Sequence, residues 1–300
     1  MFTNRCLWFA GAAGLAGALL MALAVTAGQA RLPHILAYEA GSSPHRDIFL
    51  LDAGTGVEHN VSRSQADDYA PSWSDGGARL VYREVVNNRL DTLHALEMGA
   101  VATSSLIGTD SRESAIARAA WEAGDISHAF TLGYGQMWLG KPGRQIEPVG
   151  YGFSPALSPD GVWVLYYADS SGDLNAEIYA YDPAAHTTLN LSQHAAHDWS
   201  PAWSPDGSQV AFVSTRDGNA EIYVVPFSCG VAQQCGRAAR RLTHNTSADL
   251  DPAWSPDGRS IAFVRDDGRR SQIYSVELES GLVQPVTSGE LNRRAPAWMP

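Results

Sequence analysis

The 300-residue chain carries 32 acidic against 21 basic residues, a formal charge of −11, and Lys141 is its only lysine. Nucleic acid is excluded as a partner on that balance, because phosphate binding needs a basic patch. With 45% hydrophobic residues the chain can bury one large all-β domain or two smaller ones.

The first thirty residues differ from the rest. Arg5 is the only charge before Arg31, and Cys6 to Ala27 is continuously apolar or small. Val25-Thr26-Ala27 or Gly28-Gln29-Ala30 offers small residues where a signal peptidase would cut. The expectation is a signal peptide over residues 1–30, with an uncleaved membrane anchor through residues 6–27 as the alternative. Cys6 precedes the apolar run, which argues against a lipoprotein cleavage box. A periplasmic or extracellular location follows.

From residue 34 the chain repeats itself. Residues 35–62 supply three strand-like runs, Ile35-Leu36-Ala37-Tyr38, Asp47-Ile48-Phe49-Leu50 and Asn60-Val61-Ser62. Next comes D-Y-A-P-S-W-S-D-G-G at Asp68, which returns as D-W-S-P-A-W-S-P-D-G at Asp198 and D-L-D-P-A-W-S-P-D-G at Asp249. A shorter copy runs from Ser154 to Gly161, and A-P-A-W-M-P stands at Ala295 to Pro300. Anchors therefore fall at Trp73, Trp121, Leu157, Trp203, Trp254 and Trp298, a period that means a stacked array or a propeller.

Each copy reads as strand, tight turn, strand. The residue before proline is expected to be extended. Ser-Pro-Asp-Gly then supplies a turn in which Gly accepts a positive φ. Nine residues after the first five anchors comes another aromatic: Tyr82, Phe130, Tyr166, Phe212 and Phe263. A third strand follows, as in Glu177-Ile178-Tyr179, Glu221-Ile222-Tyr223 and Gln272-Ile273-Tyr274, then a short fourth at Asn190–Ser192, Arg241–Thr243 and Pro285–Thr287. The first unit lacks its anchor strand, and Ala295–Trp298 lies at the other end of the sequence. Ring closure hides sheet edges that an open stack would expose. The prediction is an all-β fold, a six-bladed β-propeller over residues 34–300 with four-stranded antiparallel blades, closed by the C-terminal strand joining the N-terminal blade.

The P-A-W-S-P-D-G, I-A-F-V and E-I-Y segments resemble the propeller repeats of the TolB-like family, whose namesake is the periplasmic component of the Tol–Pal envelope system. Related repeats occur in propellers attached to prolyl peptidases and in oligogalacturonate lyases. The resemblance covers nearly all of residues 34–300 and is strongest in units four to six. TolB-like proteins carry a separate α/β domain before the propeller. Here the repeats begin within a few residues of the leading segment, so a stand-alone propeller is expected.

In such a ring, the connectors from fourth to first strand crowd one mouth of the channel. Asp68, Asp198 and Asp249 each lie three residues before the anchor proline, with Arg293 and Gly152 in the same slot. One reading is a charged funnel, with Asp68, Asp198, Asp249, Arg293 and His197 binding a partner. The other is that each Asp bonds its own connector's backbone. His194, His197 and His244 form a second candidate set, since the lyase relatives hold a metal through histidines near the channel. Asp169, Asp173, Asn175 and Glu177 make a calcium-like run without the spacing of a dedicated loop. Asn60, Asn190 and Asn245 head glycosylation sequons that coincide with repeat positions or follow by chance. Cys229 and Cys235 bracket five residues and suggest a disulfide in an exported chain.

Neither a nucleophile elbow, a dinucleotide fingerprint, a P-loop nor an H-E-x-x-H helix occurs, and Ser154 sits at a structural repeat position. The expectation is a monomeric, non-enzymatic binder of a protein or envelope polymer, without cofactor. A metal-dependent carbohydrate-active lyase or hydrolase is the alternative, and a recognition subunit for a separate transporter or peptidase is a third.

Overall fold

A computed structural model of the chain describes residues 34–74, 77–86, 90–98, 103–106, 128–132, 135–140, 147–169, 172, 175–232 and 235–300. The expected export segment over residues 1–30 and the anchor Trp121 lie outside them.

The first sheet contains β1 (Ile35–Ser42), β2 (His45–Asp52) and β3 (Val57–Asn60). The second is β4 (Asp67–Ser74), β5 (Arg79–Val86), β6 (Leu90–Glu97) and β7 (Thr103–Leu106). Three strands of the third are described, β8 (His128–Leu132), β9 (Gln136–Gly140) and β10 (Glu147–Tyr151). The fourth holds β11 (Phe153–Leu157), β12 (Val164–Ala168), β13 (Glu177–Asp182) and β14 (Thr187–Asn190). The fifth holds β15 (Asp198–Trp203), β16 (Gln209–Ser214), β17 (Glu221–Pro226) and β18 (Arg240–Arg241). The sixth holds β19 (Ala248–Trp254), β20 (Ser260–Asp266), β21 (Ser271–Glu277) and β22 (Val283–Pro285). The last strand, β23 (Arg293–Trp298), joins the first sheet beside β1, with Trp298 opposite Leu36 and Ala297 opposite Ala37. Every pairing is antiparallel, and each strand follows its neighbour in sequence except at β23.

Apolar side chains fill the spaces between neighbouring sheets. One cluster joins Leu165 and Ile178 to Phe212 and Val225, and a second joins Val213 and Ile222 to Ile261 and Phe263. A third joins Ala262 and Ile273 to Leu36 and Tyr38, and a fourth joins Ile48 and Leu50 to Leu80. The anchor tryptophans add a hydrogen bond across the same seams. Their Nε1 groups donate to carbonyls of the preceding inner strand: Trp203 to Ala156 at 3.2 Å, Trp254 to Ala202 at 3.1 Å, Trp73 to Ala297 at 2.9 Å. The last links the second sheet to β23, 224 residues away.

The constant nine-residue offset has a cause. It places an aromatic of the second strand directly across from one of the third, and the two rings stack. The pairs are Tyr38–Phe49, Tyr82–His94, Tyr166–Tyr179, Phe212–Tyr223 and Phe263–Tyr274, with centroids 5.1 to 6.1 Å apart.

A polar clamp closes the outer edge. The backbone N–H of Ile178 donates to Ser192 Oγ, that of Ile222 to Thr243 Oγ1, that of Ile273 to Thr287 Oγ1, and that of Ile48 to Ser62 Oγ. Each hydroxyl in turn donates to the side chain starting the third-strand motif: Glu177, Glu221, Gln272 or Asp47. The fourth strand therefore ends two residues before Ser192, Thr243 and Thr287, and a side chain takes over where the ladder stops.

One local expectation needs correction. Before the anchor proline the chain is not extended: Ala70, Ser154, Ser200, Asp251 and Ala295 all have φ near +50°. At each of these points the ladder skips, between Tyr69 and Ser72 in the second sheet and between Leu250 and Ala253 in the sixth. A bulge lets a proline without an N–H sit inside a paired strand. The expected Cys229–Cys235 disulfide is present and joins two short helices, α1 (Ser228–Ala232) and α2 (Cys235–Ala238), whose backbone was not read from the sequence.

A candidate binding face at the strand connectors

The bulged inner strands bring the five slot residues to equivalent places. Asp68, Asp198 and Asp249 are fully buried, and Arg293 is nearly so. None of the four lies open at the surface, which corrects the expectation of an acidic funnel lined by these side chains. Nor do Asp198 and Asp249 rest on the backbone of their own connectors: side chains hold them. Asp249 accepts from Arg265 Nε and Nη2, both at 2.8 Å, and from Asn245 Nδ2 at 2.7 Å. Asp198 accepts from Arg216 Nη2 at 3.0 Å. Each guanidinium also lies over the stacked rings, Arg265 at 4.6 Å from the Tyr274 centroid and Arg216 at 4.8 Å from that of Tyr223.

Asp68 is different. Neither of its oxygens has a hydrogen-bond partner. Its cross-strand neighbour is Glu84, where Asp249 faces Arg265. Burial pushes the carboxyls of Asp68, Asp198 and Asp249 above the usual range, and the arginines offset this only in part for the last two. At Asp68, the carboxylates of Glu84 and Asp47 add to the rise. By contrast, hydrogen bonds from Thr243, Asn245, Asn219 and Arg241 outweigh burial at Glu221 and hold it below the usual range.

Arg293 donates to Glu58 at 3.1 Å and to Gln272 Oε1 at 3.2 Å, so it ties the sixth sheet to the first. At Gly152, an added Cβ would lie 2.4 Å from the Tyr166 ring, and the fourth sheet has no room for a slot side chain.

Two aromatics stand exposed at the connector into the fourth sheet. Tyr151 is 69% and Phe153 47% exposed, on either side of Gly152. The residue after the slot is Tyr69, Phe153, Trp199 or Leu250 in four of the five copies, with exposed Arg294 in the fifth. His197 is exposed and sits edge-on to Trp199. Charge enters through residues not singled out from the sequence. Asp251 accepts from Ser200 Oγ at 3.3 Å, and burial raises its pKa against the pull of Arg294. Glu39 accepts from the Ala70 N–H at 2.8 Å and from Arg46 at 2.9 Å. Asp251 was findable, being the one charged residue in the pre-proline position.

The three histidines do not form a ligand set. His194 Nδ1 accepts from the Ala196 N–H, while His197 and His244 are exposed on separate connectors. Among the described residues no three His, Cys, Asp or Glu side chains are grouped to hold a metal. In the calcium-like run Asp169 caps its own turn at Gly172 and Glu177 belongs to the clamp, while Asp173 lies outside the described residues.

Residues 145–237 match the family described as PD40, TolB beta propeller domain. A Tol-Pal system protein TolB of Bordetella pertussis is 37% identical over 138 residues, which cover 46% of this chain and 29% of that protein. Its counterpart in Desulfosudis oleivorans is 36% identical over 93 residues, 31% of this chain and 19% of that protein. These matches span less than a third of either relative's length. The crystal structure of TolB from Acinetobacter baumannii superposes with a TM-score of 0.69 at 18% identity, over 89% of this chain and 67% of that one, which speaks to the fold alone. On repeats, sheets and matches together, residues 145–237 carry a TolB beta propeller domain and the chain is similar to TolB-like propeller proteins.

Proposed function

We propose that the chain is exported to the cell envelope as a six-bladed ring, closed by Arg293–Trp298, and binds a protein there through its connector face. The pairing of β23 with β1 and the packing of Ala262 and Ile273 of the sixth sheet against Leu36 and Tyr38 of the first support closure. The name shared by the relatives, Tol-Pal system protein, supports an envelope setting. Among the described residues no helix is long and apolar enough to cross a membrane, and the export signal over residues 1–30 is part of the proposal.

One observation carries the binding reading: the exposed pair Tyr151 and Phe153 beside Gly152. Large aromatics left out in water on a connector are the kind of group that anchors a protein interface. Arg294 adds an exposed charge on another connector of the same set. The site is read as a recognition surface and not a catalytic one, since two of its three buried slot carboxylates, Asp198 and Asp249, are held by arginines rather than aimed at a substrate position.

The test is capture from an envelope extract with the wild-type protein and a Tyr151→Ala/Phe153→Ala variant. Both side chains are exposed, so the variant should fold normally and retrieve at least tenfold less of a specific protein. Equal retrieval by the two would end the reading.

A further inference from the structure

The second sheet keeps the buried carboxylate and the ring stack of the sixth sheet's charge site but not its cation. In the sixth sheet Asp249 and Arg265 are register partners, the guanidinium meets both carboxylate oxygens at 2.8 Å, and it covers the Phe263–Tyr274 stack. In the second, Asp68 occupies the place of Asp249 and is fully buried, with both oxygens unused. Tyr82 and His94 stack at 5.1 Å in the place of Phe263 and Tyr274. Where Arg265 would stand is Glu84, held by His94 at 2.8 Å.

The local balance is strongly negative. Asp68, Glu84 and Asp47 face one another through Ser62 and Ser64, and the imidazole of His94 pairs with Glu84. Arg46 is engaged by Asp67 and Glu39, and Arg83 lies over the Tyr69 ring. Like charges directly across a strand pair are destabilising, and a buried carboxylate without a partner is costly. Such a group in a native fold calls for an explanation.

We propose that this acidic notch, Asp68 with Glu84 across from it, receives the guanidinium of an arginine side chain supplied by the partner protein. The inference rests on the connector face being a protein-binding surface, and it names the chemistry of one anchor. A planar cation is favoured over a metal ion. Asp68 offers both oxygens for a two-point hydrogen bond, and an aromatic pair lies where the sixth sheet stacks its own guanidinium. The grouped donors that a metal would need are not found among the described residues. Entry requires the Glu84–His94 pair to swing aside. Each of these side chains is 21% exposed, against 20% for Arg265, so the incoming group would take up a position of the same depth.

The probe is an acetyl-arginine-amide peptide, compared with its citrulline counterpart and with calcium and manganese ions, read as the shift in Tm of the full chain. The arginine peptide should raise Tm with concentration and the citrulline peptide should not. Asp68→Asn should weaken the response about tenfold or more. Glu84→Arg, which rebuilds the internal pair of the sixth sheet, should raise Tm without peptide and abolish the response. An equal response to arginine and citrulline, an undiminished response in Asp68→Asn, or a response to metal ions alone overturns the proposal. If capture still depends on Tyr151 and Phe153 while arginine has no effect, the notch fails and the connector face stands. If arginine binds and capture is indifferent to the aromatics, the face fails instead.

Discussion

The second and sixth sheets share a scaffold and differ in charge. Both have the φ-positive bulge before proline, a stacked ring pair, and an anchor indole bonded to the neighbouring inner strand. Yet Asp249 is neutralised by Arg265, while Asp68 faces Glu84. The skeleton therefore does not depend on what fills the slot. Packing, turns and the tryptophan bonds specify the repeat, and the slot is free to carry a completed ion pair in one copy and an open one in another.

The contrast can be broken by substitution, beginning with Arg265→Ala. It leaves Asp249 buried and poorly compensated, and a loss of about 3 kcal/mol in urea unfolding is expected. A loss below about 1 kcal/mol would mean that the pair is not what holds the sixth sheet's slot.

The same substitution should then act with opposite sign at the two slots. Asp249→Asn is expected to cost about 2 kcal/mol by weakening charge-assisted bonds to Arg265. Asp68→Asn should be neutral or stabilise by up to about 1 kcal/mol, because it removes a repelled, unpaired charge. Matching losses at both sites would erase the distinction.

Trp254→Phe and Trp73→Phe should each cost about 1 kcal/mol for the indole hydrogen bond. Near-equal values would sharpen the claim that the scaffold is common to both sheets.

The smallest effect is a pH slope. The folded pKa of Asp68 is raised by burial and by Glu84 and Asp47, with His94, Ser62 and Ser64 also facing it. The folded state therefore holds this proton more tightly than the unfolded chain does. Its contribution is fully favourable below the ordinary Asp value of about 3.9 and is lost as pH rises from there through the raised folded value. Tm measured across that window should fall less steeply in Asp68→Asn than in the wild type.

Much of the architecture was legible because it is written in repeated residues. The anchor tryptophans, the nine-residue offset and the pairing of Ala295–Trp298 with Ile35–Tyr38 all follow from spacing. The hydroxyl clamp was present in the recurring Glu-Ile-Tyr and Leu-Ser or Leu-Thr motifs, but only three dimensions show that the two bond each other. The left-handed residue before proline was missed because the usual steric preference of that position yields to the bulge. The slot partners were missed for a different reason. Arg265 stands 16 residues after Asp249 and Arg216 18 after Asp198, so no fixed offset gives them away. The exposed aromatics Tyr151 and Phe153 sit in the copy whose slot is glycine, where the motif itself is weakest.

The pairing of β23 with β1 also sets the order in which the chain can mature. During synthesis the edge of β1 waits, unmatched, while more than two hundred residues are made. Contacts between such distant segments are slow to form, and a bare strand edge is an invitation to a neighbouring molecule. A nascent chain stalled before residue 293 should accordingly aggregate or recruit a holdase, whereas one released after Trp298 can seal itself.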